Sequence, residues 1–178
     1  AITGVTFQPE SKLEELKGFE GTAITELNLE HTKKLKTIDG FKNCVKLSGA
    51  IEVPASVIVI YDNTFFGTNI TKVNFEKESK VQNVGFYAFS NCTNLETFEF
   101  PEGPEAIDRD DNYAAKGFKE HVLDGSTSLS RVIAFGESSI SAENLVLSLC
   151  SEGMREDICI DGNGTRAGHI IRHENNTC

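Results

Sequence analysis

An apolar pattern that returns every twenty-odd residues constrains this chain more than any other feature. From Val84 to Pro101, apolar residues stand at Val84, Phe89, Cys92, Leu95, Phe98 and Phe100. Ile60, Phe65, Ile70, Val73 and Phe75 repeat the pattern with one residue fewer after the first Phe. Phe19, Ile24, Leu27 and Leu29 share that shortened form, and Phe41, Cys44, Leu47, Ile51 and Val53 give a longer one with an extra residue near Ser48-Gly49. Leu123, Ser126, Leu129, Val132 and Ala134 are a fifth, eroded copy. The first strand position falls at 27, 51, 73, 98 and 132, in steps of 24, 22, 25 and 34. The first three steps lie in the range of leucine-rich repeats. The fourth contains an insertion, placed near 104–122 and including the polar run Asp108 to Asn112.

Such a repeat has direct structural consequences. Phe98, Glu99 and Phe100 alternate apolar and polar, the mark of a short strand with one buried face. One coil cannot bury its own Phe and Leu, but stacked coils share a continuous core. The strands should pair in parallel, one per coil. Pro54 and Pro101 should end theirs where no ladder N–H is needed. Segments Thr64-Phe65 and Ala88-Phe89 should form helical or 3₁₀ turns on the opposite wall. The expected fold is an α/β solenoid, a right-handed coil with five or six parallel short strands on one wall. Phe65, Val73, Phe75, Phe89, Leu95, Phe98 and Phe100 should be buried. Twelve Phe and no Trp suit such a dry interior.

The alternation of Ala-Phe-x-Asn-Cys-Thr-x-Leu-x-x-Phe-x-Phe-Pro with Phe-x-Gly-Thr-x-Ile-x-x-Val-x-Phe resembles BspA-type leucine-rich repeats. Val53 to Ile60 resembles that family's linker between strand and turn. The likeness runs from about Leu16 to Phe135. It implies an exported or surface-anchored protein acting in adhesion to host or neighbouring-cell surfaces. Residues 1–18 and 136–178 depart from the repeat of 19–135 and are expected to cap it, since solenoids must hide their terminal apolar edges.

Charge and motif content narrow the function. The formal net charge is −10, and the densest lysine group (Lys33, Lys34, Lys36) is flanked by Glu30 and Asp39. No basic stripe emerges, so nucleic acid is a poor partner. No apolar run is long enough to insert in a membrane. Neither a Ser-His-Asp arrangement, a Gly-rich phosphate loop nor a carboxylate pair stands out. Neither catalysis nor a cofactor is expected.

The expected activity is recognition of a surface protein or glycan through the outer face of the strand wall, where residues flanking each inward pair align in columns. One column holds Glu26, Lys72, Thr97 and Arg131, with Ala50 as a gap. The next holds Asn28, Glu52, Asn74, Glu99 and Ile133. A self-associating coat or wall component is the competing reading.

Cys44 and Cys92 occupy one repeat position two coils apart, roughly 10 Å at the spacing of strands, and cannot bridge. They are expected to be buried and free. Cys150, Cys159 and Cys178 allow one disulfide, sensible in an exported protein. A zinc set of Cys159, His169, His173 and Cys178 competes with it, but lacks a close Cys pair. Asp108 to Asn112 and Asp161 to Thr165 imitate calcium loops yet miss the required Gly and closing Glu. Asn69, Asn91, Asn163 and Asn175 head Asn-x-Thr sequons and are candidate glycosylation sites.

Overall fold

The computed structural model describes residues 2–101, 117–119, 121–134, 158–160 and 168–172, the last two segments and 131–134 by backbone alone. The chain winds as a parallel β-solenoid with two strand walls. One wall is a five-stranded parallel sheet of two-residue strands: β1 (Glu15–Leu16), β2 (Thr37–Ile38), β4 (Val59–Ile60), β6 (Asn83–Val84) and β8 (Gly117–Phe118). The other is formed by β3 (Ser48–Val53), β5 (Asn69–Phe75), β7 (Thr97–Glu99) and β9 (Arg131–Ala134), paired in parallel in that order. Strands β10 (Ile158–Ile160) and β11 (Gly168–Arg172) extend the second wall antiparallel, β11 pairing with β9.

Sequence period dictates the core. Inward residues of β3, β5 and β7 (Ile51, Val53, Ile70, Val73, Phe98) are fully buried. At the turn between walls, Phe19, Phe41, Phe65 and Phe89 form a stack with ring centroids 5.0, 5.3 and 5.2 Å apart and planes within 11° of parallel. That spacing is close to the strand-to-strand distance, because each ring rides one coil above the last. Phe98, Phe100 and Phe118 fill the neighbouring space edge to face.

Several expectations are corrected. No helix occurs among the described residues, so the α/β description does not hold for them. The Phe turns are single turns closed by bonds such as Phe66 N–H to Asn63 O and Thr68 N–H to Phe65 O. The reason is that alternate N–H groups leave the coil: Phe65 donates to Ala88 O at 2.7 Å and Gly67 to Ser90 O at 3.0 Å. A donor spent on the next coil cannot close a bond within its own helix. Among the described residues the second wall, where five or six parallel strands were expected, carries four, while the first wall carries five. Phe75 is half-buried, packed edge to face on Phe98 and Phe118 where β5 runs out.

Phe65, Val73, Phe89, Leu95, Phe98 and Phe100 are buried as the repeat requires. Strand β3 ends immediately before Pro54. From Val73 to Val84 is eleven residues and from Phe98 to Phe118 twenty, yet Val84 and Phe118 pair. The extra residues of this coil are therefore accommodated before Gly117, in a stretch outside the described residues.

Candidate binding surface

Parallel pairing fixes which side chains stand together on the outer face of the second wall. Ala50 pairs with Lys72, Lys72 with Thr97 and Thr97 with Arg131. Beside them Glu52 pairs with Asn74, and Glu99 with Ile133. From β3 onward these are the columns read from the repeat: the first runs in register to β9, and the second forms the pairs Glu52–Asn74 and Glu99–Ile133. Arg131 and Ile133 enter by backbone position only. Glu52 is exposed, while Lys72, Asn74, Thr97 and Glu99 are half-buried by their neighbours. Lys72 Nζ lies 3.6 Å from Glu99 Oε2, a diagonal ion pair across β5 and β7. The face thus offers carboxylates, an amide, a hydroxyl and an ammonium held on a rigid ladder.

Glu26 and Asn28 do not join it. Leu27 and Leu29 are buried as an inward pair should be, yet 24–29 forms no strand. Asn28 Oδ1 accepts the N–H of Glu30 at 2.9 Å, and Thr32 N–H bonds Leu29 O at 2.9 Å. A side chain that captures a nearby backbone donor competes with the sheet ladder, and here the chain turns away before pairing. Between this segment and β3 lies an open groove of about 780 Å³.

The repeat also orders the opposite corner. Gly21, Asn43, Gly67, Asn91 and Gly125 all have φ between 53° and 71°. Only Gly and Asn adopt this left-handed conformation readily, which explains the recurring Gly-Thr and Asn-Cys pairs. The residues that follow form one inward column: Thr22, Cys44, Thr68, Cys92 and Ser126. Cys44 Sγ donates to Phe19 O at 2.9 Å, Cys92 Sγ to Phe65 O at 3.2 Å and Ser126 Oγ to Phe89 O at 2.9 Å. Thr22 meets Cys44 and Thr68 meets Cys92 at 3.5 and 3.4 Å. The sequence carried this signal in its Gly-Thr, Asn-Cys and Gly-Ser dipeptides, but expecting the cysteines only to be buried and free missed their bonding.

A family model described as the BspA type leucine-rich repeat region matches residues 14–143 in six copies. The chain belongs to the BspA-type leucine-rich repeat family. Repeats of this kind build interaction or surface modules, which is what a rigid wall of aligned polar side chains equips the chain to be. No curated protein and no solved structure matches the chain.

Within this BspA-type region Cys44 and Cys92 are free and buried. Burial pushes the Cys92 thiol up to about 11, against the opposing pull of its hydrogen bonds from Thr68 and Gly67. Such a thiol is inert at neutral pH. Cys159 stands in β10 opposite Ile171, while Cys150 and Cys178 lie outside the described residues, as does the disulfide expected among the three. His169 stands in β11 opposite Ile133, and His173 lies outside the described residues. Both calcium-like runs also fall outside them. No group of three metal-ligating side chains forms among the described residues.

Of the sequons, Asn69 is half-buried in β5 and its Nδ2 donates to Val45 O at 2.7 Å. A glycan on that nitrogen would displace the bond. Asn91 is exposed at its left-handed corner, whereas Asn163 and Asn175 lie outside the described residues.

Proposed function

We propose that this chain is an extracellular or cell-surface recognition module, acting in adhesion by holding a protein or glycan on the outer face of its second strand wall. One observation carries the reading: the columns Ala50–Lys72–Thr97–Arg131 and Glu52–Asn74 are in strict register. Ala50, Lys72, Thr97, Glu52 and Asn74 face away from the core, so packing leaves their identities free. Parallel strands repeat them at steps of about 4.8 Å, a fixed comb of donors and acceptors. The mixture of Glu, Asn, Thr and Lys suits a hydrogen-bonding partner more than an apolar one. A ligand meeting such a preset array loses less freedom on the protein side than one meeting mobile loops. Family membership supports the same class of role, and the caps and exported location belong with it.

The test is a glycan and matrix-protein array, read with the native chain and with the double substitution Glu52→Ala and Glu99→Ala. The module should retain a small set of ligands and lose them in the variant while its melting temperature holds. Unchanged binding by a folded variant would remove the strand face from the site. Sizing chromatography separates the competing coat role: a recognition module elutes as one species, a coat component self-associates with concentration.

A further inference from the structure

The second wall has an open edge inside the molecule. Strand β3 pairs with another strand on one side only, β5. Glu76 N–H bonds Val53 O, so Val53, and with it Ile51, turns its backbone groups toward β5. By the alternation of a strand, Ala50 and Glu52 turn theirs the other way, into the groove against 26–30. Nothing in that segment receives them. The two sides are tied at one end by Ser48 N–H to Thr25 O at 3.1 Å and at the other by Ile58 N–H to Lys36 O at 2.8 Å. Between these ties no backbone bond crosses. On the facing side the N–H groups of Glu26, Leu27 and Asn28 likewise have no backbone acceptor among the described residues.

Charge accompanies the open ladder. Glu26, Glu30, Glu52 and Glu76 line the groove. Glu76 is held by Lys33 at 2.9 Å and by the N–H of Ala55. Among the described residues, the exposed carboxylates of Glu26, Glu30 and Glu52 make no ion pair, although Lys33 and Lys34 stand near Glu30 on its other side. Three like charges on the two banks oppose closure of the gap, and a cation between them would relieve it.

We propose that this groove binds a short, extended, basic segment of another polypeptide, added as a strand to the free edge of β3. Main-chain bonds to Ala50 and Glu52 would supply the pairing, as in strand addition generally. Alternate Lys or Arg side chains would meet Glu26, Glu30 and Glu52. The site uses a backbone edge, so it stands even if Asn74, Thr97 and Glu99 bind nothing.

The test uses the full chain and a fluorescein-labelled Lys-Val-Lys-Val-Lys-Val hexapeptide, with its Glu-Val counterpart and two forms N-methylated at alternate residues. The Lys-Val peptide should bind in anisotropy titration, and the Glu-Val peptide should not. At least one N-methylated form should bind tenfold or more weakly. Amide exchange at Ala50 and Glu52 should slow tenfold or more on binding. The triple substitution Glu26→Gln, Glu30→Gln and Glu52→Gln should weaken binding at least tenfold without altering the melting temperature. Absence of binding overturns the proposal. Binding that leaves both amides unprotected, or that ignores N-methylation, makes the contact a purely electrostatic one and also overturns it. Amides already protected in a chain that sizes as a dimer would assign the edge to a second copy instead.

Discussion

The rings of Phe65 and Phe89 lie 5.2 Å apart and 10° from parallel, each fully buried, one coil above the other. Phe89 also meets Phe98 edge to face at 5.3 Å. The Phe column therefore joins successive coils to each other and to the strand wall.

Phe89→Ala should cost about 3–5 kcal/mol, the usual loss for deleting a large buried ring. Phe19→Ala should cost less, because Phe19 is half-buried and stacks only on Phe41 among the described rings. Urea denaturation of both variants checks the order. A cost below about 1 kcal/mol for Phe89→Ala would contradict the packing described.

Cys92 should resist alkylation in the native chain. Its thiol, pushed up to about 11, is neutral and buried at pH 8. Iodoacetamide at that pH should label it only after unfolding, because the thiol is both protonated and out of the reagent's reach. Peptide mass mapping reads the result. Cys92→Ser should keep the chain folded within about 1 kcal/mol, since Ser126 makes the equivalent bond to Phe89 O.

Glu76 should contribute a small pH-dependent stability. Burial raises its pKa, but the Lys33 ammonium and the Ala55 N–H outweigh that and hold the carboxyl below its ordinary value. A group depressed on folding stabilises above the unfolded carboxylate pKa, and the gain disappears as pH falls through the folded value. Lys33 is largely exposed, so solvent screening limits the gain to under about 1 kcal/mol. Glu76→Gln should lower stability at pH 7 and leave it unchanged well below the folded pKa. Denaturation at both pH values measures the difference.

Gly85→Ala should destabilise by about 1–3 kcal/mol through overpacking. A Cβ at Gly85 would run into the backbone of Asp62, whose Cα would lie only 2.8 Å away, and into its Oδ1, which accepts the N–H of Phe86. Gly85 has an ordinary backbone conformation, so close approach of the coils alone forbids the methyl. Thermal melting of the variant beside Gly4→Ala, where a Cβ meets nothing within 4 Å, separates this clash from a general glycine effect.

The repeat of apolar residues determined by itself that the chain is a solenoid, that Phe65, Phe89, Phe98 and Phe100 are buried, and which outward residues share a column from β3 onward. That information is local: inward and outward positions follow from alternation, and the recurring apolar positions carry it from one coil to the next although the coils differ in length. Ala50, Lys72 and Thr97 could therefore be aligned from the chain alone. Only the tertiary structure decided where backbone donors go. At Phe65 the donor passes to Ala88 in the next coil, so the turn there stays a single one and no helix continues from it. At Asn28 a side chain holds Glu30 N–H, and the first coil leaves β3 unpaired although Leu27 and Leu29 obey the repeat. Apolar periodicity specifies which side chains enter the core. It does not specify which of several competing acceptors each N–H finds, because that depends on neighbours brought close by stacking.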